Sequence, residues 1–100
     1  LYGEAGDDQI TGGLGTDTIF GGTGLDSISG GAGADTIDAG ADNDTIYLAN
    51  GDFAAGESIT GAGGTDTIIL SNATTVNFTT GTLATVENLT GSTGNDNVTY

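Results

Sequence analysis

The sequence contains no lysine, arginine or histidine, and it also lacks cysteine, proline, methionine and tryptophan. Without bases nothing can neutralise phosphate, so a nucleic-acid partner is excluded and an anionic membrane surface is disfavoured. Without cysteine no disulfide can staple the fold, and with histidine also missing a zinc site has no ordinary ligands. No apolar run approaches the roughly 18 residues of a spanning helix, so no membrane insertion is expected. No leader peptide is visible.

What the chain has instead is acid and glycine. Fourteen acids set the formal net charge at −14, and 20 of the 100 residues are glycine. Self-repulsion of that size opposes a compact state unless cations bind. Glycine richness with high net charge is also the composition of a disordered linker. Against that reading, the apolar residues recur at fixed places and are largely isoleucine, valine and leucine.

The recurrence is a nine-residue phrase. Its consecutive copies are GEAGDDQIT (Gly3–Thr11), GGLGTDTIF (Gly12–Phe20), GGTGLDSIS (Gly21–Ser29), GGAGADTID (Gly30–Asp38) and AGADNDTIY (Ala39–Tyr47). The sixth place holds Asp8, Asp17, Asp26, Asp35 and Asp44, and the eighth holds Ile10, Ile19, Ile28, Ile37 and Ile46. About four residues are then inserted before Ile59. GAGGTDTII (Gly61–Ile69) restores the register with Asp66, and GSTGNDNVT (Gly91–Thr99) does so again with Asp96. Leu1 stands nine residues before Ile10, and Tyr100 would open a further copy, so the chain reads as cut from a longer array.

Glycines in the first four places rule out a helix interior and suit turns. The last three places read as a short strand with its middle residue turned inward. Two phrases then make one coil, and copy i lies on copy i+2. The fold class expected is all-β, a parallel solenoid with two inward ladders. Ile10, Ile28, Ile46 and Ile68 form one, and Ile19, Ile37 and Ile59 the other. Thr18, Ser27, Ser29, Thr36 and Asp38 should face solvent.

One isoleucine per nine residues cannot offset the entropy of ordering the backbone, about 1–2 kcal/mol per residue. Stacking brings Asp8 over Asp26, Asp17 over Asp35, and Asp26 over Asp44. Of Asp17, Asp26 and Asp35, only Asp26 then belongs to two pairs. Bare, these pairs repel, but a dication between them turns them into ligands. Carboxylates with backbone carbonyls are the oxygen set of calcium, whereas magnesium keeps its waters and demands a tighter octahedron. Aspartate is also an ordinary turn former, but seven sixth-place aspartates without any counter-charge point to metal. Asp38, Asp52, Glu57 and Glu87 are read as solvated.

The phrase resembles the nonapeptide G-G-x-G-x-D-x-U-x, known to bind calcium in bacterial RTX proteins. The copies from Gly12 to Asp38 fit it fully. The resemblance implies a right-handed parallel β-roll or β-helix with several calcium ions in its turns. It also implies ligands from carbonyls at places two and four of one turn, carbonyls at places one and three of the turn above, and both aspartates. One site would use Gly13, Gly15 and Asp17 with Gly30, Ala32 and Asp35. A second would use Gly22, Gly24 and Asp26 with Ala39, Ala41 and Asp44. A third would use Glu4, Gly6 and Asp8 with Gly21, Thr23 and Asp26. Ala39 and Asp42 stand where the pattern has glycine.

Four segments follow. Residues 1–47 form a regular roll, and 48–69 an insertion with a degenerate coil. Residues 70–90 form a threonine-rich, calcium-free β-helix coil, and 91–100 a further repeat. The threonine-rich segment resembles the plainer coils of S-layer proteins and large adhesins. The function this implies is a calcium-dependent structural module of a secreted bacterial cell-surface protein, folding outside the cell after type I secretion. The alternatives are the secretion and folding module of an RTX protease, lipase or toxin, or a glycan-binding module. No catalysis is expected, since no nucleophile or acid–base pair stands out. A homo-oligomer or lattice and a cell-surface glycan stay open as partners. Five Asn-x-Thr triplets, at Asn43, Asn72, Asn77, Asn88 and Asn97, read as strand and turn residues rather than glycan acceptors. The third and fifth places are too irregular for an ice-binding face.

Overall fold

The computed structural model describes residues 1–49, 52–71, 75–91 and 97–99. Its strands are β1 (Tyr2–Ala5), β2 (Gln9–Leu14), β3 (Thr18–Thr23), β4 (Ser27–Ala32), β5 (Thr36–Ala41) and β6 (Thr45–Leu48), then β7 (Ser58–Ala62), β8 (Thr67–Leu70) and β9 (Thr75–Asn77). A single 3-10 turn, Phe78–Thr80, precedes β10 (Thr82–Ala84), β11 (Asn88–Thr90) and β12 (Asn97–Thr99). Alternate strands sort onto two sheets, β1-β3-β5-β7-β10 and β2-β4-β6-β8-β11, and β9 pairs with β12. Every pairing is parallel. The result is a β-solenoid of about five coils in which copy i lies on copy i+2.

The register carries both inward ladders through the inserted residues. Ile10, Ile28, Ile46 and Ile68 stack and continue to Leu89. Ile19, Ile37 and Ile59 stack and continue to Leu83. Most of these isoleucines are wholly buried. The strand face between them alternates as a period of two requires: Thr18 and Thr36 are exposed, while Ser27, Ser29 and Asp38 are half-buried.

The strands are longer than the three residues expected. From β2 to β5 each runs for six, taking in the first three places of the following phrase. Glycine-rich backbones can approach closely enough to extend the ladder, so only places four to six remain as the sharp turn. Beyond residue 47 the core thickens. Leu48 and Leu70 stack, and Phe53, Val76 and Phe78 join them, with the two phenylalanine rings edge-to-face at 4.9 Å.

Candidate metal centre

The sixth-place aspartates end each turn just before a strand, so parallel stacking sets their carboxylates one above another. Oδ1 of each upper aspartate accepts the backbone N–H of the aspartate below. The distances are 2.9 Å for Asp8 to Asp26, 2.8 Å for Asp17 to Asp35, 2.9 Å for Asp26 to Asp44 and 2.9 Å for Asp44 to Asp66. This hydrogen bond fixes the rotamer and aims the second oxygen into the gap between coils.

That second oxygen is the decisive feature. Among the described residues, Oδ2 of Asp8, Asp17, Asp26, Asp35, Asp44 and Asp66 is buried without a hydrogen-bond partner. Asp26, Asp35, Asp44 and Asp66 are at most 2% exposed. Buried polar atoms are almost always satisfied, and an unpaired buried charge is costly. Six such atoms in two rows call for a cation, and the described residues have no side-chain cation to offer.

Backbone oxygens share the same space. A methyl group on Gly21 would collide with the Ala39 carbonyl and lie 2.6 Å from Asp26 Oδ2. Gly21 therefore serves close approach, and beside Gly3 and Gly12 the Gly21 and Gly30 carbonyls border Asp8 Oδ2 and Asp17 Oδ2 in the same way. The carbonyls of Glu4, Gly6, Gly13, Gly15 and Gly22 rise from places two and four toward the coil above. Those of Thr23, Ala32 and Ala41 point down and accept the N–H groups of Gly6, Gly15 and Gly24 at 2.8, 2.8 and 3.4 Å. Gly24 itself has φ 125°, the left-handed region that favours glycine. No three acidic side chains among the described residues converge on one point, so any ion must draw on carbonyls as well as two carboxylates. That donor set fits calcium.

The glycine departures fall at places with different demands. Asp42 keeps the positive φ of place four, at 82°, and Glu4 and Ala62 keep that of place two, at 79° and 75°. Ala39, at place one, has no positive φ. Asp96 lies outside the described residues.

One acid read as solvated is buried, and another, although exposed, holds a backbone N–H. Glu57 is 2% exposed, and its Oε2 accepts the Asp35 N–H at 2.9 Å. Glu87 Oε2 accepts the Asp66 N–H at 2.8 Å, with the side chain at the exposed rim. Each stands two residues before a ladder residue, Ile59 or Leu89, as every sixth-place aspartate does. Counting in nines missed them because the turns there differ in length. The local signal is an acid, any residue, then a ladder aliphatic.

Burial raises the Asp44 carboxyl from 3.8 to about 6, opposed by the Asp26 N–H and reinforced by the charges of Asp26, Asp66 and Asp42. Burial raises Glu57 from 4.5 to about 7, opposed by the Asp35 N–H and reinforced by Asp35 and Asp52. Asp66 is raised by burial, with Glu87 adding to it. In metal-free protein the folded chain therefore holds protons more tightly than the unfolded chain. The stability linked to Asp44 and Glu57 is present below 3.8 and 4.5, and it is lost as pH rises through about 6 and about 7. In chelator, circular dichroism should show more β-structure at about pH 4 than at about pH 8. The opposite trend would remove these carboxyls as the cause. Calcium competes with the same protons, so its affinity should fall with falling pH.

These features define a class: a parallel β-solenoid whose turns aim buried carboxylates and carbonyls at a divalent cation. The family model of the RTX calcium-binding nonapeptide repeat (4 copies) matches residues 1–28 and 20–52. The chain belongs to that family, whose repeats bind calcium. No curated protein and no solved structure matches it.

Proposed function

We propose that the chain is a calcium-dependent structural module of a secreted bacterial cell-surface protein, of the S-layer or adhesin kind, that folds on meeting calcium outside the cell. The observation that carries this is the double row of partnerless buried Oδ2 atoms in a chain without basic residues. The two aspartates of a gap would hold each ion, together with the carbonyls at places two and four below and places one and three above. Calcium supplies the positive charge that lets these groups stack. The module is not an enzyme, since its acids are committed to the gaps. The threonine-rich strands after residue 70 support the surface-protein reading over a protease, lipase or toxin. Assembly with further copies and binding of a surface glycan belong to the same proposal.

A calcium titration followed by circular dichroism tests the reading. The folding midpoint should fall at about 0.1–1 mM, the range of extracellular calcium modules. A midpoint below about 1 μM, the range of intracellular sensors and buffers, would let the chain fold before export and would overturn the proposal.

A further inference from the structure

The row Asp8, Asp26, Asp44 and Asp66 does not stop at the last aspartate. The next coil reaches it through a shortened turn. Successive ladder residues elsewhere in the regular roll are nine apart, such as Ile19 and Ile28, but Leu83 and Leu89 are only six apart. Thr85 stands two residues after the ladder residue Leu83, as place one does after each ladder isoleucine, and Glu87 takes the role of the sixth-place acid.

This gap reproduces the features of the gaps in the regular roll. Asp66 is 0% exposed, and its Oδ2 is buried without a hydrogen-bond partner. The Thr85 carbonyl meets that oxygen beside Gly61, where an added methyl group would collide with both. Thr85 departs from the regular place one in having a positive φ, 51°, and its hydroxyl accepts the Ala62 N–H at 2.7 Å. Glu87 supplies the upper carboxylate and holds the Asp66 N–H. By contrast, in the gap between Asp35 and Glu57 the three atoms nearest a methyl group on Gly30 would all belong to Asp35, so no carbonyl stands as close there as the Thr85 carbonyl does beside Gly61.

We infer that Asp66 Oδ2, the Thr85 carbonyl and the Glu87 carboxylate form a further calcium site. Its residues lie beyond the segment matched by the repeat family, and Thr85 and Glu87 lie within the segment that the sequence presents as calcium-free. The inference rests on the calcium reading above, and the experiment separates the two. Calorimetric titration of the full chain with calcium chloride should count one ion fewer for Glu87→Gln than for the parent chain. Gly61→Ala, which fills the space between the two oxygens, should also lose one. Both variants should keep their β-signal at saturating calcium. Equal counts in parent and variants overturn the site while leaving the regular roll intact, whereas a parent chain that binds no calcium overturns both readings. If either variant fails to fold, crystals of the parent chain soaked in terbium decide. Anomalous density at about 2.3–2.6 Å from Asp66 Oδ2 and the Thr85 oxygen supports the site. Ions in the gaps of residues 1–47 with none at Asp66 overturn it.

Discussion

In excess chelator at neutral pH the chain should lose its β-structure, and added calcium should restore it in one cooperative transition. Two quantities decide this. The hydrophobic ladders supply one buried isoleucine per nine residues, worth about 1.5–3 kcal/mol each, against about 1–2 kcal/mol of backbone entropy per residue. Stacking also places carboxylates in line with no positive side chain anywhere in the sequence. An uncompensated buried charge is strongly destabilising. Cooperativity follows because each coil contacts only its neighbours and because inner acids such as Asp26 serve the gap below and the gap above. Far-UV circular dichroism reads the outcome. A chain fully folded in excess chelator would show that the core alone suffices and that the acids are not metal ligands. Magnesium should restore the fold poorly, since it holds its waters and demands a tighter octahedron.

Replacing Asp26 should cost more calcium affinity than replacing Asp17. Asp26 Oδ1 holds the Asp8 N–H from below, and the Asp26 N–H is held by Asp44 from above. Asp17 has only Asp35 as a neighbour in its row. Loss of a charged contact costs about 1.5–3 kcal/mol, and about 1.4 kcal/mol is a decade in affinity. Asp17→Ala should therefore raise the calcium midpoint by about tenfold and Asp26→Ala by about a hundredfold. Asp35 differs from the sequence expectation, because Glu57 gives it a second neighbour. Asp35→Ala should fall between the other two, since its upper gap is closed by Glu57 rather than by a sixth-place aspartate. Equal midpoints for the Asp17 and Asp26 variants would refute the sharing of acids between gaps.

The repeat made the architecture legible because period and chemistry agree over five copies. Ile10, Ile28 and Ile46 could be stacked on paper, as could Asp8, Asp26 and Asp44, and the observed register places them so. Reading failed where turn length changed. Glu57 follows a lengthened turn and Glu87 a shortened one, so neither falls on a multiple of nine. Their identity as glutamate also hid them, since the pattern specifies aspartate. What survives insertion is the local relation between an acid and the ladder residue two places on, because strand pairing, not chain length, sets the register. The length of the strands was hidden for a different reason. Glycine reads as a turn residue, yet Gly13 pairs with Gly31 and Gly22 with Gly40 inside the sheets.

The stacking of coil on coil also has a mechanical meaning. Each coil of the regular roll holds eighteen residues but advances the axis by only one strand spacing, about 4.8 Å. Pulled out straight, the same residues span about 60 Å. Because a coil touches only its neighbours, tension along the axis releases one coil at a time from an end, and the rest keep their ions. The roll is thus a reserve of length with a chemical latch, extended under load in steps and rewound when the load falls and calcium returns to the gaps.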